Sequence, residues 1–330
     1  MIITRTPFRI SFAGGGTDLR EFYSLEPGRV ISTSINKYIY VVVKRQIGIV
    51  EHKYRINWSK VEFKNKIDDI EHPIVREALR MFGIDFPLEI TTFTDIPGST
   101  GLGSSSAFAV GLVHALHALK GEMVTKHMIA SEAAHIEVDI LGRAMGKQDH
   151  YASAYGNLNV FTFTSDEVVS VEPVLYKHKA KKHIESNLML FYLKMKRNAS
   201  EILESQQRET KSKLIELRKM QSLVDPIREV FSSGIGFNAF GEALHEGWVI
   251  KRSLTEDVSS KEIDSYYEKA INAGALGGKL LGAGGGGFLL FYVEEINQKR
   301  VMKELSDLYF LPIKFDNSGT RITYYDQPHV

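Results

Sequence analysis

At 330 residues, with 43% hydrophobic and 25% charged side chains, the chain is long enough for a large core shared by two packed units. Lys and Arg number 41 against 40 Asp and Glu, which excludes a global basic field steering the protein onto nucleic acid; an anionic ligand must be held by local cations. There is no cysteine, which excludes disulfides, thiolate catalysis and cysteine-ligated zinc.

The first residues, Met1 to Arg5, carry no apolar core of the kind a secretory signal needs, and no apolar run reaches bilayer-spanning length. A cytoplasmic protein without membrane or nucleic-acid partners is expected. Ile2 to Phe12 is rich in β-formers and runs into Gly14-Gly15-Gly16, which predicts one or two strands entering a tight loop. Val30 to Lys44 reads as a strand pair, Tyr54 to Val61 as a strand, His72 to Met81 as a helix with Pro73 near its start, and Leu88 to Phe93 as a strand. A loop over Thr94 to Gly103 then opens a helix from Ser105 to Leu119, whose Ala107, Ala109 and Gly111 predict close packing. Helices are expected over Thr125 to Leu141 and Lys147 to Tyr155, and a strand over Leu158 to Phe163.

The stretch Ser165 to Lys182 changes character, which places a domain junction there and divides the chain into residues 1–170 and 171–330. Beyond it a strand is expected over Leu188 to Leu193. Helices are expected over Ala199 to Gln221, Pro226 to Phe231, Phe237 to Ser253 and Lys261 to Ala273. A glycine loop over Gly277 to Gly287, a buried strand over Phe288 to Tyr292, one more helix and two strands complete the chain. No repeat or low-complexity tract interrupts it.

Three glycine segments carry chemistry. In Pro7-Phe8-Arg9-Ile10-Ser11-Phe12-Ala13-Gly14-Gly15-Gly16-Thr17-Asp18 a strand bearing a cation leads to a turn ending in a carboxylate, which can accept two sugar hydroxyls; a strand with a solvated Asp is the plainer reading. In Pro97-Gly98-Ser99-Thr100-Gly101-Leu102-Gly103-Ser104-Ser105-Ser106 glycines and serines run into a helix start, where unpartnered amides attract phosphate; the same serines would serve a simple cap. In Leu281-Gly282-Ala283-Gly284-Gly285-Gly286-Gly287 a G-x-G-x-x-G match precedes a β-like segment rather than a helix, which argues against dinucleotide binding and leaves a tight packing loop as the alternative. No Walker A loop is present. A zinc site on His114 and His117 lacks H-E-x-x-H and a third ligand, so core or surface histidines are expected there.

Taken together, and in this order and spacing, the three segments resemble the GHMP kinases. The resemblance implies an α/β (α+β) two-domain fold, with a ribosomal-protein-S5-like N-terminal domain, a ferredoxin-like C-terminal domain, and the active site between them. It also implies ATP and Mg²⁺ as cofactors. Within the family the first segment, with Gly146-Lys147-Gln148-Asp149 and Tyr151-Ala152-Ser153-Ala154-Tyr155-Gly156, is similar to the D-glycero-D-manno-heptose 7-phosphate kinase branch; a fucokinase-like segment is similar too. His150 and Arg20 depart from that branch, where Gln and Pro are expected, and either departure could touch substrate preference.

Carried over residue by residue, the resemblance makes Asp149 the catalytic carboxylate and puts Arg9 beside it. Pro97, Gly98, Gly101, Leu102, Gly103, Ser104, Ser105 and Ser106 would embrace the nucleotide. Ser105 and Glu137 would hold Mg²⁺, with Asp139 a substitute for Glu137 because the intervening segment is one residue longer than in mevalonate kinase. Thr17, Asp18, Gly284 and Gly285 would contact the sugar, and Lys147 or Arg197 its phosphate; a solvated surface role is equally open to those two cations. The expected reaction is transfer of the ATP γ-phosphoryl group to the C1 hydroxyl of D-glycero-D-manno-heptose 7-phosphate. A fucokinase- or galactokinase-like enzyme for an unphosphorylated sugar and a non-enzymatic sugar-phosphate sensor are the alternatives.

Overall fold

The structure is a computed structural model and describes residues 1–195 and 199–326. Among the described residues thirteen strands form two sheets. The larger holds β1 (Ile2–Ala13), β2 (Gly28–Arg45), β3 (Tyr54–Asn57), β4 (Val61–Lys64), β5 (Leu88–Thr94), β6 (Leu158–Phe163) and β7 (Val169–Pro173). The smaller holds β8 (Leu188–Tyr192), β9 (Gly277–Leu280), β10 (Phe288–Tyr292) and β11 (Tyr309–Leu311), in the order β11-β8-β10-β9. The last two strands, β12 (Phe315–Asp316) and β13 (Arg321–Tyr325), return to the first sheet, where β12 pairs with β2 and β13 with β1. The expected division at residue 170 therefore does not divide the sheets: β7 spans it, and the chain end crosses back.

The segment Val30 to Lys44 is one strand, not a pair. β2 runs for 18 residues because it has three successive partners on one side, β6 along Gly28–Thr33, β12 at Ser34 and Ile35 and β5 along Ile39–Arg45, with β1 along the other. Tyr54 to Val61, expected as one strand, is instead the start of a hairpin, β3 with β4. All strand pairs are antiparallel except β3 with β5.

The helix Ser104–Leu119 lies against β1, and most of its residues are buried. Its small residues do what their size predicts: Thr4 Oγ1 of β1 donates to the Gly111 carbonyl at 2.8 Å, and any side chain on Gly111 would meet Thr6 Oγ1 at 2.9 Å. The expected helix Thr125–Leu141 is α-helical over Lys126–Ala134 and π-helical over His135–Ile140. The expected helix Ala199–Gln221 breaks into Ala199–Glu209 and Leu214–Ser222, and the junction region contains a further helix, His178–Asn187, that periodicity did not signal. One hydrophobic core joins the large sheet to Leu190, Phe288 and Tyr292 of the small one. A second fills the outer face of the small sheet around Phe191, Trp248, Leu289 and Phe291. No helix among the described residues is long and apolar enough to cross a membrane.

Candidate active site

Two segments 140 residues apart meet in the cleft between the sheets. Arg9, in the middle of β1, presents its guanidinium to Asp149, in the first turn of the helix Gln148–Tyr155. The contact is bidentate, Nε to Oδ1 and Nη2 to Oδ2, each at 2.6 Å, and Nη1 donates to the Gly101 carbonyl at 2.8 Å. Arg9 is 5% exposed, so this fork is desolvated and its geometry is fixed at both ends. Each carboxylate oxygen still has a free lone pair with which to accept a further hydrogen bond.

Around the pair lies a pocket lined by Ser11, Gly15, Gly16, Asp18 and Leu19 from the first glycine segment and its continuation, and by Met145, Gly146 and Gln148 where the chain enters the helix Gln148–Tyr155. Leu203, Gln206, Met220, Lys251, Leu254, Lys279, Gly282 and Ala283 close it from the C-terminal half. Asp18 is buried and accepts from the amides of Gly16 at 3.0 Å and Gln148 at 3.2 Å. Burial, and after it the charge of Asp149, pushes the Asp18 carboxyl above its ordinary value despite those amides. Ser11 Oγ and Gln148 Oε1 are buried without a partner and line the same pocket, so three polar side chains face a ligand that could satisfy them.

The other expected sugar contacts lie elsewhere. Thr17 is fully buried, donates to the Gly14 carbonyl at 2.8 Å and accepts from the Arg29 amide at 3.0 Å; it shapes the glycine turn instead of lining the pocket. Gly284 and Gly285 pack on Val258: the Gly285 amide donates to its carbonyl at 2.9 Å, and a Cβ on Gly284 would meet its Cα at 2.8 Å. Their neighbours Gly282 and Ala283 line the pocket in their place. Lys147 turns into a separate recess with Arg20, His135, Asp139 and Glu167, pairs with Glu167 and lies over the Tyr23 ring at 5.4 Å. Arg197 falls outside the described residues. Of the two departures, Arg20 binds Glu167 at 2.8 Å and Asp139 at 2.7 Å, and His150 is fully buried on Glu137; neither lines the pocket.

The loop from Pro97 and Gly98 through Ser106 packs on the third glycine segment, backbone to backbone. Gly101, at φ +83°, and Gly282, at φ +75°, face each other so closely that a Cβ on either would collide with main-chain atoms of the opposite loop. Leu102 is a core residue whose carbonyl accepts the Arg9 amide at 3.2 Å, and Gly103 precedes the helix at φ +76°. Ser104 Oγ accepts from the Ser99 amide at 3.3 Å, and Ser106 Oγ is buried with no partner. The unpartnered amides of a helix start are of the kind that attract anions.

Ser105 reaches Glu137, not Asp139. Glu137 is completely buried and is held by the Ser105 hydroxyl, by Arg143 and by His150 Nε2 at 2.9 Å. Burial pushes its carboxyl up; the hydrogen bond and charge of His150, then Arg143 and Ser105, outweigh that and bring it below its ordinary value. Asp139 is bound on the surface by Arg20 and by His135 at 2.9 Å. Glu137 lies inside the π-helical turn His135–Ile140 that ends the helix begun at Lys126. A hydroxyl and an ionised carboxylate suit Mg²⁺, which needs few protein ligands when phosphates supply the rest. His114 and His117 have protein partners, Thr320 at 3.2 Å for the first and Glu122 at 2.7 Å and Glu132 at 2.6 Å for the second, and no cluster of three metal-ligating side chains occurs among the described residues.

Lys251 and Lys279, which sequence reasoning passed over, line the pocket from the helix Asn238–Arg252 and from β9. A lysine within Gly277-Gly278-Lys279-Leu280, flanked by residues that bury fully, was the signal available for one of them.

The chain matches the model of the GHMP kinases N-terminal domain over residues 72–157 and that of the GHMP kinases C-terminal region over residues 227–310. It is 30% identical over 320 residues to a D-glycero-alpha-D-manno-heptose 7-phosphate kinase of Campylobacter jejuni, covering 92% of this chain and 93% of that protein. A galactokinase of Thermotoga maritima is 22% identical, covering 92% and 93%. The crystal structure of a D-glycero-D-manno-heptose 1-phosphate kinase from Bacteroides thetaiotaomicron superposes with a TM-score of 0.79 at 23% identity, covering 99% of this chain and 100% of that one.

Proposed function

The chain belongs to the GHMP kinase family, and on that premise we propose that it transfers the γ-phosphoryl group of ATP to the C1 hydroxyl of D-glycero-D-manno-heptose 7-phosphate, giving the 1,7-bisphosphate. Membership makes it an ATP-dependent sugar kinase with the two-domain fold of that family. The substrate and the position phosphorylated are the proposal.

The observation that carries it is the Arg9–Asp149 fork at the edge of a pocket whose other polar groups include Asp18, Gln148 and Ser11. These are groups that read sugar hydroxyls. In the proposed reaction Asp149 accepts a hydrogen bond from the acceptor hydroxyl and takes its proton as the oxygen bonds to the γ-phosphorus, and the bond to ADP breaks. Arg9 holds the carboxylate in place and lies where it can stabilise charge on the transferring group. The loop Pro97–Ser106 would hold the nucleotide phosphates. Ser105 and Glu137 would hold Mg²⁺, whose contribution when bound is to neutralise phosphate charge.

A panel of heptose 7-phosphate, mannose 6-phosphate, fucose, galactose and mevalonate, read by ADP release, tests the assignment, with ³¹P NMR identifying the phosphorylated position. Turnover of heptose 7-phosphate to an anomeric phosphate is expected. Efficient use of fucose or galactose with none of heptose 7-phosphate overturns it.

A further inference from the structure

Two lysines line the sugar pocket without a counter-charge. Lys251 is 9% exposed and Lys279 is 5% exposed. Lys251 Nζ donates to the carbonyls of Leu280, at 3.2 Å, and Gly282; Lys279 Nζ donates to the Phe12 carbonyl at 2.9 Å. No carboxylate among the described residues pairs with either ammonium. The two acids of the pocket are committed elsewhere, Asp149 to Arg9 and Asp18 to two amides.

Burying an unpaired cation is unfavourable, and three cationic side chains around one cavity compound the cost. Both lysines show it: burial, and then the neighbouring Arg9, pushes Lys279 down to about 7, and burial with the charges of Lys279 and Arg9 drives Lys251 well below its ordinary value. An ammonium has three N–H donors, so Lys279 retains two and Lys251 one beyond the carbonyls already engaged. Such a cluster is complementary to a dianion with three acceptor oxygens. No residue of the nucleotide loop Pro97–Ser106 lines this pocket, whereas Asp18 and Gln148 do, so the anion that fits here enters with the sugar.

We propose that Lys251 and Lys279 form the subsite for the remote phosphate of the sugar substrate, the role assigned from sequence to Lys147 or Arg197. The proposal rests on the sugar-phosphate reading above and adds which residues enforce it. Lys147 is unsuited, since it is paired with Glu167 in another recess. Because the subsite lies in the C-terminal half and the fork on the N-terminal sheet, a phosphorylated sugar bridges the cleft. The phosphate's binding energy then helps orient C1 at Asp149, so a sugar without that phosphate is turned over more slowly.

The test compares wild type, Lys251→Met and Lys279→Met on heptose 7-phosphate and on the unphosphorylated heptose, each at saturating ATP. Each substitution is expected to lower kcat/KM on the phosphorylated sugar by about 100-fold, and on the unphosphorylated sugar by no more than about threefold. The retained activity on the plain sugar doubles as the control for folding. Independently, titration calorimetry of the wild-type protein with heptose 7-phosphate at pH 8, in buffers of different ionisation enthalpy, should show net proton uptake, because the incoming dianion restores the proton to a lysine that had lost it. Lys279→Met should reduce that uptake, and the double substitution of Lys251 and Lys279 by methionine should abolish it. Equal losses on both sugars, or losses expressed in the KM for ATP, overturn the assignment, as does binding without proton uptake. A wild-type enzyme that uses fucose or galactose and no sugar phosphate defeats the substrate reading itself and this inference with it.

Discussion

Replacing Lys279 with methionine should change how the stability of the ligand-free protein depends on pH. In the unfolded chain the lysine holds its proton up to its ordinary value of 10.5; in the folded protein burial, with Arg9 adding to it, lowers that to about 7. Between these values the unfolded state binds more protons than the native state, so this residue makes stability rise with pH, by up to about 1.4 kcal/mol per unit. From pH 7 to pH 9 the gain is on the order of 2 kcal/mol, because the native group is still half protonated at the start of the interval. For a protein of this size that corresponds to roughly 4 °C in Tm.

The groups facing Lys279 across the pocket are Arg9, Lys251, Asp18 and Asp149, and they remain in the variant, so the difference between the two proteins reads Lys279 together with its effect on Lys251. Methionine also leaves the Phe12 carbonyl without its donor, at a cost of about 1–2 kcal/mol that does not vary with pH. The diagnostic quantity is therefore the change in the gap, not its size. Scanning fluorimetry at half-unit steps from pH 6.5 to 9.5, with denaturant melts at pH 7 and 9, should show wild type gaining about 4 °C on Lys279→Met over pH 7 to 9. A gap that stays constant across the range would refute the argument that an uncompensated cation is buried there.

Asp149→Asn should reduce turnover by about 10³-fold while nucleotide binding, measured by fluorescence or calorimetry, stays within a few-fold; near-normal turnover removes Asp149 from the proton-transfer role. Glu137→Gln and Ser105→Ala should each raise the Mg²⁺ concentration needed for half-maximal activity by about tenfold, and Asp139→Asn should leave it unchanged; the reverse pattern would move the metal site to the surface carboxylate. Gly282→Ala should destabilise the protein by at least about 1–3 kcal/mol, because its φ of +75° is strained for alanine and the added methyl meets the Gly101 backbone; a Tm unchanged from wild type would mean the two glycine loops are not held against each other.

Much of the local structure was legible because it depends on patterns a short stretch contains. The run into Ser104 announced a helix start, the β-formers of Ile2 to Phe12 a strand, and the small residues Ala107, Ala109 and Gly111 a helix packed tightly on its neighbour. Matching segments also revealed the family, since three motifs in a fixed order are a property of the chain and need no coordinates. The breaks were less legible. β2 continues through what looked like a turn because it changes partner halfway, and a partner is not a local property. The helix after Thr125 passes into a π turn because tertiary contacts fix Glu137 on Ser105, His150 and Arg143.

The sequence by itself determined which residue types were available: one catalytic-looking carboxylate beside a lysine and glutamine, glycines enough to bring backbones together, and no excess of cations for a phosphate. Only the tertiary structure decided which cations face the sugar. Lys147 is next but one to Asp149 in the chain, and the helix start between them sends its side chain to Glu167 in a different recess. Lys251 and Lys279 are more than 100 residues from Asp149 in sequence, and the packing of the small sheet and its helix against the end of β1 buries both in the wall of the pocket. Charge acts through space and through the dielectric around it, and neither distance nor burial is written along the chain.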